Sequence, residues 1–177
     1  PAVENLFGDH AWYDDGLDYY EKALRIREAI GDQPGVADVT QMVGSTYAAL
    51  GRYDEAIETM EQVVGLYREL GDPAGQAQAF SSLGEFHQAS GRTSEALAAY
   101  ERALELDPAF AEAHNNRGEA LRNLGRDMDA LQSYERTLEL QPDSMEAHNN
   151  RALALLRLGR LDEALVACER AIRLQPD

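Results

Sequence analysis

The chain has 177 residues, 44% hydrophobic and 27% charged, a balance that excludes an extended disordered polymer and fits a soluble folded domain. Its 32 acidic against 16 basic side chains leave a formal charge of −16, which repels nucleic-acid phosphates and anionic lipid surfaces, so the excess reads first as a solvating surface. One cysteine, Cys168, excludes an internal disulfide framework, and no apolar run is long enough for membrane insertion.

In chain order, residues 1–12 carry a weak apolar stripe of Val3, Leu6, Phe7 and Ala11 that predicts a short helix. From Tyr13 the pattern is definite: Leu17, Tyr20, Ala23, Leu24, Ile26 and Ile30 recur at helical spacings as far as Gly31-Asp32, with Pro34-Gly35 beyond as turn residues. Further helices are predicted over about 36–50, 54–70 and 74–90, closed by Gly51, Gly71-Asp72-Pro73 and Gly91. Thr93 or Ser94 offers a cap to a helix starting near Glu95, which Asp107-Pro108 ends because proline has no amide hydrogen to continue it. The same punctuation returns with Gly125, a helix over 127–140 and Gln141-Pro142, then Gly159, a helix over 162–174 and Gln175-Pro176. Connections this short force neighbouring helices to run antiparallel.

An internal period underlies this punctuation. The hexapeptide Glu112-Ala113-His114-Asn115-Asn116-Arg117 returns unchanged as Glu146-Ala147-His148-Asn149-Asn150-Arg151, 34 residues on, and Ala96, Ala130 and Ala164 keep the same interval. Gly16, Ala56 and Ala96 are instead 40 residues apart. The expected organisation is a single array over 1–177: a partial unit over 1–36, then repeats over 37–76, 77–110, 111–144 and 145–177. The six extra residues of the early units are expected to lengthen their second helix and to widen the N-terminal half of the array.

The run Gly84, Ala96, Tyr100 and Pro108, repeated as Gly118, Ala130, Tyr134 and Pro142, resembles the tetratricopeptide repeat, and the resemblance covers about 13–177. It implies an all-α fold, a right-handed superhelical solenoid of antiparallel helix hairpins. Gly44, Gly84, Gly118 and Ala152 are expected where the two helices of a hairpin approach closest, opposite Ala56, Ala96, Ala130 and Ala164. Tyr20, Met60, Tyr100, Tyr134 and Cys168, one turn further, are expected to wedge into the next hairpin. Departures from the motif are the large aromatic slot, held by Thr40, Phe80, His114 and His148, and the apolar slot, held by Val43 and Leu83 but then by Arg117 and Arg151. Those arginines are read as burying their stems while the guanidinium reaches the surface, a nearby carboxylate or a ligand anion.

The resemblance also implies that the first helix of each hairpin lines a concave face. Candidate contacts are Asp38, Gln41, Met42, Ser45 and Ala49, then Gln78, Ser81, Ser82, Glu85 and Gln88. In the later repeats they are Glu112, Asn115, Asn116, Glu119, Arg122 and Asn123, followed by Glu146, Asn149, Asn150, Leu153, Leu156 and Arg157. Five acids against two bases make the groove mildly acidic and favour a basic protein or peptide partner. Asn116 and Asn150 resemble an asparagine ladder, since a carboxamide can donate to and accept from a peptide backbone, or bond the neighbouring helix instead; Asn115 and Asn149 are weaker candidates. The cationic clamp that some relatives use for chaperone C-termini looks absent, because Asp38, Gln41, Gln78 and Ser81 stand on the early units.

No phosphate-binding glycine loop is present, and His10, His87, His114, His148 and Cys168 follow no metal-ligand spacing, so no cofactor, metal or catalytic residue is expected. The leading reading is a noncatalytic scaffold binding a peptide or protein segment in its concave groove. One alternative is a regulatory or substrate-recruiting segment of a larger enzyme. Another is a self-assembling homo-oligomer joined through Leu165, Ile172 and Leu174 on an uncapped C-terminal helix. A cytoplasmic location is expected from the single cysteine and the lack of a leader pattern, with a trimmed N-terminus left open by the start at Pro1.

Overall fold

The computed structural model describes the backbone over residues 4–174 and side chains over 16–174. Among the described residues there are nine helices and no strands: α1 (Glu4–Ala29), α2 (Gln33–Ala49), α3 (Tyr53–Leu70), α4 (Pro73–Ala89), α5 (Thr93–Leu106), α6 (Ala111–Asn123), α7 (Asp127–Leu140), α8 (Met145–Arg157) and α9 (Leu161–Leu174). They fall into two compact units, Pro1–Ser90 with α1 to α4 and Gly91–Asp177 with α5 to α9. Within each unit every helix packs on the next in the chain, and in the second unit α6 also touches α8.

In the first unit the helix predicted over 1–12 and the one predicted from Tyr13 are a single helix, α1. The stripe of Val3, Leu6, Phe7 and Ala11 lies outside the described side chains. Ile26 and Ile30, counted by spacing in the apolar pattern of this helix, are 63% and 72% exposed. The apolar positions that α1 does bury are the half-covered Leu17, Tyr20, Ala23 and Leu24.

Two prolines sit inside helices rather than between them. Pro34 and Pro73 occupy the first turns of α2 and α4, where an amide hydrogen would have no helical acceptor and φ is already suitable. Asp32 caps α2 by accepting from the Gly35 amide at 3.0 Å, and Asp72 caps α4 by accepting from Ala74 and Gly75 at 3.1 and 3.0 Å. A Cβ on Gly75 would stand 2.6 Å from the Tyr67 ring, so the close seating of α4 on α3 requires glycine there. Neither Thr93 nor Ser94 caps α5: Thr93 is its first residue, and the N-cap is Arg92, whose side chain makes no capping bond.

The extra length of the early units is shared, not confined to the second helix. α2 and α4 have 17 residues and α3 has 18, whereas α6 and α8 have 13 and α5, α7 and α9 have 14. Proline explains only part of this, since it cuts the second helices of the late units but does not touch the first.

Alanine and glycine fill the predicted close approaches. Ala56, Ala96, Ala130 and Ala164 are all essentially inaccessible. The large side chain one turn along seats on the small residue of its own hairpin. A Cβ on Gly118 would lie 2.5 Å from Tyr134 Cε1, and one on Gly44 would lie 3.3 Å from Met60 Cε. Where Ala152 replaces the glycine, the facing side chain is the smaller Cys168, packed on the cluster of Leu131, Ala152, Leu155, Ala164 and Ala167. The three pairs thus trade volume, a larger side chain facing glycine and a smaller one facing alanine. Helices of 13 to 18 residues are marginal alone in water, so this packing stabilises them.

Candidate functional site

In the first unit, the exposed side of α2 forms one wall of a cleft of about 420 Å³. All five residues chosen on α2 line it, namely Asp38, Gln41, Met42, Ser45 and Ala49, together with Thr46 and Tyr20 from α1. Tyr67, from α3, points its hydroxyl at the same helix, 3.1 Å from Asp38 Oδ1 and 3.3 Å from Gln41 Oε1. One proton can serve only one of these acceptors at a time, so the hydroxyl orients either side chain. Burial, followed by the adjacent Asp38 carboxylate, pushes the Tyr67 phenol up to about 12. On α4, Gln78 and Glu85 are exposed and Ser82 and Gln88 half-buried, but Ser81 is 3% exposed with an unpartnered hydroxyl. Ser81 therefore faces the core and is removed from the candidate contacts.

In the second unit the asparagines bond one another. Asn150 Nδ2 donates to Asn115 Oδ1 at 3.1 Å, and Asn115 Nδ2 donates to Glu146 Oε1 at 2.8 Å. Asn115 is buried at 6% exposure, so both ends of its carboxamide are spent in joining α6 to α8, and its assignment as a peptide contact is corrected. Asn116 and Asn150 are half-buried, and Asn149 is exposed. The two bases are also engaged: Arg122 lies 3.6 Å from Glu119, and Arg157 Nε lies 3.0 Å from Asp127. Beside them stands the Tyr134 hydroxyl, fully buried and without a hydrogen-bond partner; burial first, against the opposing effect of Arg122, raises it to about 12. Leu153 and Leu156 on α8 are 45% and 48% exposed and add apolar surface next to Asn149.

Sequence reasoning assigned neither Tyr20 and Thr46 to this cleft nor Tyr67 to the support of its Asp38 and Gln41. For Tyr67 a signal was present: it lies eleven residues past Ala56, where the later repeats have Asp107 and Gln141, already beyond their helices. Of these three helices, only the longer α3 is still helical at that position.

Sequence profiles of the tetratricopeptide repeat match residues 13–69, 41–109, 99–132 and 128–177. The chain belongs to the tetratricopeptide repeat family. Among solved structures it is similar to MamA, at 25% identity and a TM-score of 0.76 over 97% of this chain and 91% of that one. It is also similar to YrrB, described as a tetratricopeptide repeat protein with an unusual peptide-binding site, at 25% identity and a TM-score of 0.69 over 98% and 83%. The fold is shared with BtubC from P. vanneervenii, at 18% identity and a TM-score of 0.85 over 98% and 80%. No match is found among curated protein sequences.

The atypical slots of this tetratricopeptide array are occupied structurally. His114 Nε2 lies 3.1 Å from the Pro108 carbonyl and His148 Nε2 lies 3.0 Å from that of Pro142, so each ring donates from Nε2 and clamps the turn before its own helix. Desolvation leads in holding His114 below the usual imidazole range. Arg117 donates to Ser133 Oγ at 2.8 Å and stands 3.6 Å from Glu101, and Arg151 stands 3.9 Å from Glu135. These arginines meet carboxylates on the preceding helix, one of the outcomes expected from their stems. Among the described residues no helix is long and apolar enough to cross a membrane, and no His, Cys, Asp and Glu side chains group as metal ligands.

Proposed function

We propose that the protein is a noncatalytic interaction scaffold that holds an extended, basic segment of a partner protein against the exposed faces of its first-position helices. The observation that carries this reading is the α2 cleft, whose wall of carboxylate, carboxamide, thioether and hydroxyl groups can meet a peptide backbone and its side chains together. The peptide-binding site described for YrrB supports the same use of the fold. In the second unit, the half-buried Asn116 and Asn150 and the exposed Asn149 and Leu153 offer a comparable mixture. The acidic rim, Asp38 here and Glu112 and Glu146 there, favours lysine- or arginine-bearing segments.

Selection of displayed random peptides on the intact protein tests this. Selected peptides should be enriched in basic residues and should lose most of their affinity for Ser45→Arg, a change at an exposed position that leaves the core untouched. Selected peptides that bind Ser45→Arg as tightly as the parent would reject the α2 face.

A second reading, self-association, rests on α9, where Leu161, Leu165 and Ile172 are 64%, 60% and 69% exposed on one stripe while Leu174 is half-buried. A molar mass by light scattering that stays at one chain as concentration rises would reject it.

A further inference from the structure

A second cleft runs along the other side of α2, between α1 and α3. It comprises two adjoining hollows of about 460 and 280 Å³ that share Leu24, Val43 and Tyr47. Its floor is apolar, with Val36 and Leu66 added to those three, and Thr40 stands where the family motif places a large aromatic. Its rim is acidic: Asp18 and Glu28 from α1 and Glu69 from α3, all exposed, and none in an ion pair among the described residues. Among the described residues no basic side chain lines either hollow.

The corresponding cleft of the second unit, over α8 between α7 and α9, has different chemistry. There His148 and Arg151 take the places of Thr40 and Val43, and Arg170 joins them. Arg151 meets Glu135 and Arg170 meets Asp143, at 3.9 and 2.7 Å, so that cleft neutralises its own charge. In the first unit Glu21, which also lines the cleft, is paired with Arg25, but Asp18, Glu28 and Glu69 stand without counter-charge around an apolar floor. The Arg52 guanidinium, paired with Glu55, sits 4.5 Å from the centre of the Tyr47 ring, so one face of that ring is already used by a cation.

Gly65 adds an independent observation. It lies in the interior of α3 and lines the cleft, yet a Cβ there would meet nothing within 4 Å. Glycine inside a helix costs about 1 kcal/mol relative to alanine, and no contact within the chain calls for it. A second backbone passing close by does call for it.

We propose that this cleft docks a basic amphipathic helix of a partner protein, with apolar side chains over Leu24, Val43 and Tyr47, lysines or arginines over Asp18, Glu28 and Glu69, and Gly65 at the closest approach. A helix fits better than an extended strand because the cleft runs between two helices and repeats its apolar floor at Val36, Val43 and Tyr47, one helix face. This surface is separate from the α2 face that carries the proposed groove function.

The probe is a synthetic leucine–lysine amphipathic helix about as long as α3, labelled for fluorescence anisotropy, with a leucine–glutamate peptide of the same pattern as control. The full chain should bind the lysine peptide and not the glutamate one. Gly65→Gln, which favours the helix and whose Cβ meets no neighbour, should keep or raise the melting temperature and weaken binding at least about tenfold. Glu28→Lys with Glu69→Lys should weaken it similarly, while Ser45→Arg on the opposite side of α2 should change it little. Three results would overturn the proposal: no binding of the lysine peptide, equal binding of the glutamate peptide, or undiminished affinity in the folded Gly65→Gln protein. A loss confined to Ser45→Arg would instead move the helix to the groove.

Discussion

The two units build the same hairpin with different means of holding it. The first uses long helices, aspartate caps with a proline in the next turn, and a tyrosine hydroxyl bonded to Asp38. The second uses short helices, histidine rings clamped to proline carbonyls, and arginines paired with carboxylates on the helix before. The common element is the small-residue contact between helices. A repeat thus fixes where backbones meet, while the polar groups around that meeting are free to vary from unit to unit.

The strongest challenge to this contrast comes from the glycines. Gly118→Ala should cost about 1 to 3 kcal/mol, because the added carbon meets the fully buried Tyr134 ring, which has nowhere to turn. Ala130→Leu at the same crossing should fall in the same range of about 1 to 3 kcal/mol. Gly44→Ala should be neutral or stabilising, since its nearest neighbour is the flexible end of Met60 and a helical glycine is removed. Urea unfolding followed by circular dichroism measures all three, and equal losses at Gly44 and Gly118 would defeat the volume-trading account.

The tyrosines separate the units on a smaller scale. Tyr67→Phe removes a bond to Asp38 and should cost about 1 kcal/mol, whereas Tyr134→Phe removes a buried hydroxyl with no partner and should cost nothing or stabilise. The same unfolding curves decide it, and a larger loss at Tyr134 would mean that its hydroxyl is satisfied in solution.

Smaller still is the acid sensitivity of the second unit through His114, where the first unit has Thr40. The folded state holds this imidazole below its ordinary value of 6.5, so its contribution is present above that value and is lost as pH falls through and below it. The urea midpoint should therefore drop more for the parent than for His114→Gln between about pH 7.5 and 5.5, and parallel curves would contradict the assignment.

Much of the fold was legible because the period, the helix-ending glycines and the recurring alanines are properties of the chain in one dimension. Gly31, Gly51, Gly71, Gly91, Gly125 and Gly159 all adopt the positive φ that ends a helix. The candidate faces were legible in part. Helical spacing places Asp38, Gln41, Met42, Ser45 and Ala49 on one stripe, and they do line one cleft. Spacing failed for Ser81 and Asn115, each at the border of such a stripe, where a small rotation of the helix decides between core and surface. Ile26 and Ile30 stay exposed for a different reason: Ile26 stands about half a turn around α1 from Leu17 and Leu24, and Ile30 is well off their stripe, so neither shares the half-buried face.

Local propensity and a repeated hydrophobic period, both readable along the chain, were enough to specify the helices, their antiparallel order, the family and the small-residue crossings. The folded packing was needed to show that Asn150, Asn115 and Glu146 form one relay, that Tyr67 reaches back to Asp38, and that Gly65 borders open space. Those pairings join residues tens of positions apart, and they depend on how each helix is rotated and how far it extends, which is set by packing against its neighbours rather than by any pattern along the chain.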